Sequence, residues 1–203
     1  MISIVDIGSG NISAFQNSYK RMGIPTQVVK TKKQLLKAKK ILLPGVGSYD
    51  SFMNKLNLSG LKETLNRQVL ESQVPILGIC VGMQVLGDLS EEGKLPGLSY
   101  IKGKVLRFSS DNNLPVPAMG WNPIEVQGNY PLFESIDSNL GYYFLHSYYF
   151  TEEEELTSKA ISRYGQEFTC AIQKNNIFGV QFHPEKSHQN GAKLLRNFSE
   201  VVL

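Results

Sequence analysis

The sequence predicts an α/β fold, in which a mostly parallel central sheet is flanked by helices and carries an added antiparallel sheet. Short apolar runs alternate with helical patterns in the first half of the chain, which is typical of βαβ units. The second half changes to a series of strands with a helix at the end. The 203 residues, of which 41% are hydrophobic, suffice for one core without disulfide bonds. We therefore expect a single domain over residues 1–203.

The first half contains four predicted strands, each a short apolar run that ends at a turn. They cover residues 2–5, 26–29, 41–43 and 76–79. Helices are expected from the turn at residues 8–11 to about residue 22, after a capping box at residues 31–34, along Leu61, Leu65 and Val69, and over residues 82–86. Pro44 and Gly45 are expected to stop the third strand.

The second half contains six further predicted strands. They cover residues 104–108, 122–126, 142–150, 159–164, 168–174 and 177–182. Asn175 and Asn176 are expected to form a hairpin turn between the last two, since asparagine tolerates a positive φ. A final helix is expected from about residue 187 to 202, with Leu194, Leu195 and Phe198 facing inward.

Charge and cysteine content exclude several classes of protein. Lysine and arginine total 21 against 18 acidic residues, and the net charge of +3 is too small to indicate nucleic-acid binding. The two cysteines, Cys80 and Cys170, do not make a disulfide scaffold and favour a reducing compartment. The chain shows neither a signal-peptide pattern nor an apolar stretch of about 18 residues, so we expect a cytoplasmic protein without a membrane partner.

The segment Gly78-Ile79-Cys80-Val81-Gly82 is the most informative motif of the chain. An apolar strand runs into a Gly-x-Cys-x-Gly turn that opens a helix, as in a nucleophile elbow with sulfur in place of the serine oxygen. Side chains at the two glycines would collide with neighbouring backbone, and the start of the helix favours a thiolate. The N–H group of Val81 would point toward an oxyanion. The alternative is a buried structural cysteine, the role that we assign to Cys170.

A cysteine nucleophile needs a base, and the base needs a group that orients it. His183 stands at the end of an apolar run, and Glu185, two residues further, is able to fold back onto its imidazole. The alternative is a histidine at a strand end beside an unrelated surface glutamate. Metal binding fits poorly, because the sequence has no C-x-x-C or H-E-x-x-H motif and His183 and His188 are five residues apart. We expect neither a metal nor a cofactor.

Six motifs carry a resemblance to a known family. They are Asp6-Ile7-Gly8-Ser9-Gly10-Asn11, Leu43-Pro44-Gly45-Val46-Gly47, Gly78-Ile79-Cys80-Val81-Gly82-Met83-Gln84, Met119-Gly120-Trp121-Asn122, Phe144-Leu145-His146-Ser147-Tyr148 and Gly179-Val180-Gln181-Phe182-His183-Pro184-Glu185-Lys186-Ser187. With these motifs the chain resembles the class I (triad-type) glutamine amidotransferases over essentially its whole length. Within that family it resembles the glutaminase subunits that serve imidazole glycerol phosphate formation in histidine biosynthesis. The resemblance implies a flavodoxin-like fold.

The resemblance also implies a site and its chemistry. A catalytic triad of Cys80, His183 and Glu185 would hydrolyse the side-chain amide of L-glutamine to glutamate and ammonia through a thioester. The oxyanion hole would be formed by backbone N–H groups at Val81, Val46 and Gly47. The positions that hold glutamine would be Gly47, Gln84, His146, Ser147 and Tyr148.

The implied partner is a HisF-type (β/α)8 barrel synthase subunit, which would form a heterodimer with the chain and take up the ammonia. The contact face and the ammonia passage would include Asn11, Trp121, Asn122, Tyr143 and Lys186. Two features depart from the family's usual pattern: Ala118 replaces a histidine, and Leu98-Ser99-Tyr100 replaces a glycine-rich stretch.

The departures do not touch the triad but concern the pathway, and two alternatives stay open. One is a paralogous glutaminase that supplies ammonia to a sugar-nucleotide amidation synthase through a HisF-like partner. The other, from a different class, is a flavodoxin-like cysteine hydrolase without glutaminase activity, which would give Glu185 and Gln84 no role.

Overall fold

The computed structural model of the chain describes residues 1–109, 114–137 and 139–202. The parallel part of its sheet comes from the first half of the chain. Its strands are β1 (Ile2–Val5), β2 (Thr26–Val29), β3 (Ile41–Gly45) and β4 (Ile76–Cys80). They lie in the order β2-β1-β3-β4, and each neighbouring pair is parallel. β1, β3 and β4 are buried along their whole length, which is why they read as continuous apolar runs.

The rest of the chain, from residue 89 onward, adds further strands to this sheet, most of them in antiparallel pairs, and builds a small second sheet. Its strands are β5 (Leu89–Ser90), β6 (Gly103–Arg107), β7 (Ala118–Asn122), β8 (Glu125–Gln127), β9 (Tyr142–His146), β10 (Tyr148–Glu152), β11 (Ser158–Tyr164), β12 (Gln166–Lys174) and β13 (Ile177–Val180). β13 is parallel to β4, whereas β12 is antiparallel to β13, β10 and β11. β7 and β9 form the second sheet, which is antiparallel. The predicted fold class is therefore confirmed.

Helices follow the strands of the first half of the chain and the last strand. They are α1 (Ile12–Arg21), α2 (Lys32–Leu35), α3 (Tyr49–Leu58), α4 (Lys62–Asn66), α5 (Val81–Gln84) and α6 (His188–Glu200). A π-helix over Arg67–Glu71 continues α4, and 3-10 turns cover Pro131–Phe133 and Pro184–Lys186. The predicted capping box is present, since the N–H groups of Thr31 and Gln34 each donate to the other residue's side chain. None of the helices in the described ranges has the length and apolar character that crossing a membrane requires.

The side chains predicted to face the core do so. Leu61, Leu65 and Val69 are at most 1% exposed, and Leu194, Leu195 and Phe198 are fully buried. Asn175 lies in the turn between β12 and β13 with φ of +52°, as expected for a hairpin asparagine.

Two predicted strands were wrong as continuous elements. The run at residues 122–126 is interrupted after Asn122 by Pro123, whose nitrogen cannot donate to a ladder. The run at residues 142–150 is interrupted at Ser147, because β9 pairs with β7 in the small sheet whereas β10 pairs with β6 in the large one. The chain therefore passes from one sheet to the other at Ser147.

Two predicted strand ends also shift. β3 does not stop before Pro44 and Gly45, which pair with Ile79 and Cys80 of β4. The registered pairing between β3 and β1 has already ended at Leu42, so the missing N–H of the proline falls outside that ladder. The helix expected to start over residues 82–86 is the short α5, and β13 ends two residues earlier than predicted, which leaves loop segments at the carboxyl edge of the sheet.

Candidate active site

Cys80 ends β4 in a strained turn. Its φ is +54° and its ψ is −113°, a conformation that non-glycine residues rarely adopt. A Cβ atom on Gly82 would lie 1.9 Å from the Leu43 carbonyl oxygen, and one on Gly78 would lie 2.4 Å from the Gly82 carbonyl oxygen. The collisions expected at both glycines are thus confirmed. The turn holds the sulfur at the carboxyl edge of the parallel strands, where open α/β sheets bind their ligands.

His183 follows β13, the strand beside β4, and is fixed through its own backbone. Its N–H donates to the Tyr143 carbonyl at 2.9 Å, and its carbonyl accepts the Ser187 hydroxyl at 2.7 Å. The Nδ1 atom donates to Glu185 Oε1 at 2.9 Å, and the two side chains are only 6% and 4% exposed. Nε2 is thereby left for Cys80, whose sulfur is close enough to influence the imidazole.

The environment of His183 favours its charged form. Burial alone would lower its pKa, but the hydrogen bonds to Cys80 and Glu185 and the attraction of their charges raise the pKa of His183 above its ordinary value of 6.5. A protonated imidazole beside the sulfur stabilises a thiolate. The structure thus brings a cysteine, a histidine and a carboxylate together, with a hydrogen bond between the histidine and the carboxylate.

A cavity of about 310 Å³ opens beside the sulfur, a volume within the range of small-molecule sites. The predicted site positions on its wall are Val46, Gly47, Cys80, Val81, Gln84, His146, Ser147, Tyr148, His183 and Lys186. Glu92, Pro117 and Leu145 complete the lining. Glu185 stands behind His183, where its side chain is shielded from solvent.

The Tyr148 carbonyl organises one side of this cavity. It accepts the Gln84 amide at 3.1 Å and the imidazole Nδ1 of His146 at 2.8 Å. The second amide hydrogen of Gln84 goes to Gln181 Oε1 at 3.0 Å, which leaves the Oε1 atom of Gln84 for a ligand. Burial lowers the pKa of His146 to about 4, with the Tyr148 carbonyl opposing and the charge of His183 adding to the effect. His146 is therefore neutral at pH 7.

The loop opposite Cys80 is held in one orientation by Ser9. The N–H of Val46 donates to the Ser9 hydroxyl at 3.2 Å, and the same hydroxyl donates to the Val46 carbonyl at 2.9 Å. This N–H, one of the expected oxyanion donors, is thus engaged outside the cavity in this conformation. Gly47 adopts φ of +95°, which glycine tolerates without strain. Val81 is the first residue of α5, where N–H groups have no partner within the helix.

Three of the residues expected at a partner face form one surface cluster beside the site. The Trp121 ring meets Tyr143 edge-on at 6.2 Å, and Lys186 Nζ lies 5.2 Å from the centre of the Tyr143 ring. Trp121 also stacks on His188, and it is 47% exposed. Asn122 ends β7 beside this cluster, and Asn11 caps α1 through a hydrogen bond from the Ala14 N–H.

The polar side chains at the site that are not predicted from the sequence are Glu92, Gln181 and Ser9. Glu92 lies in a loop, so no periodic pattern marks it, although its carboxylate reaches the cavity and accepts the Tyr49 N–H at 2.8 Å. Gln181 and Ser9 stand inside quoted motifs, and only the three-dimensional contacts give them a part. In the other departure from the family pattern, Leu98 and Tyr100 are buried and only Ser99 is exposed.

Comparison with known proteins places this chain in a family. A family described as glutamine amidotransferase class-I matches residues 3–201. The chain belongs to the class I glutamine amidotransferases. The HisH subunit of imidazole glycerol phosphate synthase from Bdellovibrio bacteriovorus is 48% identical over 99% of this chain and the whole of that protein. The corresponding HisH subunit from Leptospira borgpetersenii is 46% identical with the same coverage.

A solved structure agrees in fold with this glutamine amidotransferase. A glutamine amidotransferase from Thermotoga maritima superimposes with a TM-score of 0.64. The match covers 98% of this chain and 82% of that one, at 15% identity. At this identity the likeness concerns the fold.

Proposed function

We propose that this chain is the glutaminase subunit of an imidazole glycerol phosphate synthase. It would hydrolyse L-glutamine and deliver ammonia to a synthase subunit in histidine biosynthesis. The observation that carries this proposal is the buried series Cys80–His183–Glu185 beside a cavity of small-molecule size. The full-length likeness to HisH subunits supports the pathway.

The first half of the reaction forms a thioester. The thiolate of Cys80 attacks the side-chain amide carbon of glutamine, and the carbon–oxygen double bond becomes an oxyanion. We assign the stabilisation of that charge to the backbone N–H groups of Val81 and Gly47, and the Val46 N–H joins them when Ser9 releases it. Protonated His183 gives its proton to the departing nitrogen. The carbon–nitrogen bond then breaks, and ammonia leaves.

The second half hydrolyses the thioester. His183, now neutral at Nε2, takes a proton from water while the water oxygen attacks the same carbon. The carbon–sulfur bond breaks, glutamate is released, and the thiolate and imidazolium are restored. Glu185 keeps the Nδ1 hydrogen in place throughout and stabilises the imidazolium whenever it forms.

The cavity wall offers partners for the charged end of glutamine. The carboxylate of Glu92 and the free Oε1 atom of Gln84 are acceptors suited to the α-ammonium group. Ser147, which separates β9 from β10, and Gly47 also line the cavity. The neutral state of His146 avoids a second positive charge that would oppose the imidazolium of His183.

The exposed cluster of Trp121, Tyr143 and Lys186 fits a contact with a synthase partner. We propose a HisF-type barrel as that partner, with Asn11 and Asn122 also at the contact. Lys186 follows Glu185 directly, so a partner that binds the lysine acts on the segment that carries the triad.

The decisive assay follows the amide nitrogen of glutamine. The chain is incubated with glutamine labelled with ¹⁵N at the amide, a HisF-type barrel and the nucleotide substrate of that barrel. We expect glutamate release and transfer of the label into the imidazole product. Glutamine left intact with the complex assembled would overturn the proposal.

A further inference from the structure

We infer that Gln181 holds the Cys80 sulfur as a thiolate by donating an amide N–H group to it. Its Nε2 atom lies 3.7 Å from Cys80 Sγ, within reach of a hydrogen bond to sulfur. The inference rests on the proposed glutaminase function, in which this sulfur is the nucleophile. Gln181 would thus be a hydrogen-bond donor to the nucleophile in addition to the triad. It is not among the positions expected to hold glutamine.

The direction of this hydrogen bond is set by a relay of three groups. A carbonyl oxygen only accepts, so the Tyr148 carbonyl requires Gln84 to turn its NH₂ group toward it. The second hydrogen of that group goes to Gln181 Oε1. With its oxygen occupied, Gln181 must present its own NH₂ group to the sulfur. The Tyr148 carbonyl thus fixes the orientation of both amides, so that Cys80 Sγ faces the NH₂ group of Gln181 and not its oxygen.

Burial keeps the relay in this orientation. Gln181 is fully buried and Gln84 is 3% exposed, so water does not compete for their amides. The Gln181 N–H donates to the Cys170 carbonyl at 2.8 Å, which anchors its backbone to β12. A charged sulfur accepts a stronger hydrogen bond than a neutral thiol. The relay therefore lowers the free energy of the thiolate relative to the thiol.

Gln181 performs a task that His183 cannot perform at every step. The imidazole gives its proton to the departing nitrogen, so it is neutral at Nε2 while the thioester exists. The amide of Gln181 keeps both hydrogens throughout. It is thus able to hold Sγ in place before attack and again when the carbon–sulfur bond breaks.

Alkylation of Cys80 by iodoacetamide tests this inference in the chain alone, because the rate follows the thiolate fraction. Rates are measured from pH 5 to 10 for the wild type, Gln181→Met and Gln84→Met, with the modified cysteine identified by peptide mass. The titratable groups that face the site, which are His183 with Glu185 behind it, His146, Tyr148, Glu92 and Lys186, stay unchanged in these variants. Gln68→Met is the matched control, since Gln68 is 6% exposed and donates to the Leu35 carbonyl away from the site.

Gln181→Met should move the midpoint of the alkylation profile to higher pH and slow the reaction at pH 7 about tenfold, as expected for loss of a hydrogen bond to a charged group. Gln84→Met should shift the profile in the same direction by less, because the Gln181 amide is then free to turn. Gln68→Met should leave it unchanged. A folded Gln181→Met protein with the wild-type profile would overturn the inference, and an unshifted Gln84→Met would overturn the relay. Glutamine hydrolysis by the wild-type complex is assayed separately, so failure of the proposed function remains distinguishable.

Discussion

The carboxylate of Glu185 accepts the Nδ1 hydrogen of His183 at 2.9 Å, in a pair of side chains that solvent barely reaches. In such surroundings a charge interaction is weakened little by water or salt. The pair therefore determines both the tautomer of the imidazole and the free energy of its charged form.

Replacing Glu185 by glutamine should lower kcat about 10²-fold or more, by analogy with loss of the orienting acid in other triads. The variant keeps the shape of the side chain but removes the charge that stabilises the imidazolium. Steady-state glutamate release by the complex is the measurement. Glu167→Gln is the control, because its carboxylate pairs with Arg163 at the surface. An unchanged kcat for Glu185→Gln would show that another group orients His183.

The two cysteines should differ sharply in their response to serine. Cys80→Ser should nearly abolish glutamine hydrolysis with the fold intact, since an alkoxide is not populated at neutral pH as a thiolate is. Cys170→Ser should leave activity largely unchanged, because Cys170 is fully buried in β12 and burial raises the pKa of its thiol. Ammonia release by Cys80→Ser within a few-fold of the wild type would contradict the assigned nucleophile.

His146 should make the protein less stable in acid. Its pKa is about 4 in the folded chain and 6.5 in the unfolded chain, so between these values the unfolded state binds more protons. The free energy of unfolding should therefore fall as the pH decreases from 6.5 to 4, by up to about 1.4 kcal/mol per pH unit from this group. His146→Gln, which keeps a donor for the Tyr148 carbonyl, should reduce that slope in urea unfolding. A uniform loss of stability with an unchanged slope would contradict the prediction.

The turn at Cys80 should tolerate no side chain at Gly82. A Cβ atom there would lie 1.9 Å from backbone, and nothing flexible is available to move away. Gly82→Ala should therefore cost more than about 3 kcal/mol or prevent folding. Gly23→Ala is the control, because its φ of +72° is unfavourable for alanine but no atom lies within 4 Å of the added Cβ. Urea unfolding should show a loss of about 1–2 kcal/mol for this control.

The sequence predicts the parallel strands well because each is buried on both faces and leaves a short apolar run. It predicts the antiparallel region less well, because β9 and β10 form one continuous apolar run that two different sheets share. α3 has a detectable signal, since Tyr49, Phe52 and Leu56 are buried at helical spacing, but it is absent from the predicted elements.

The site shows the same division. Cys80 and the pair His183–Glu185 each belong to a short sequence motif. The motif and the spacing within it therefore suffice to propose these residues. Gln181 and Glu92 gain their parts through contacts with residues distant in the chain. No local pattern reports such contacts.

Ser9 should act as a latch on the oxyanion loop. Its hydroxyl binds both backbone polar groups of Val46, so the Val46 N–H is withheld from the cavity until the peptide turns. Ser9→Ala should raise the glutaminase rate of the chain alone and reduce the activation by a partner. One oxyanion donor contributes about 10²–10³ in kcat. The increase in the rate of the chain alone and the loss of activation by a partner should therefore not exceed this factor. Ser162→Ala is the control, since this buried hydroxyl donates to the Pro123 carbonyl away from the site.

The latch also predicts how the wild-type chain responds to its partner. The exposed cluster at Trp121 and Lys186 adjoins the segment that carries His183 and Glu185. A barrel that binds this cluster is therefore able to move the groups around Cys80. Glutamate release is measured for the chain alone, with a HisF-type barrel, and with the barrel and its nucleotide substrate. We expect a low rate alone and an increase of about 10²-fold or more in the full complex. A high rate that neither addition changes would refute the latch. Activation by a barrel from a sugar-amidation pathway, and not by the histidine-pathway barrel, would instead assign the chain to the paralogous glutaminases.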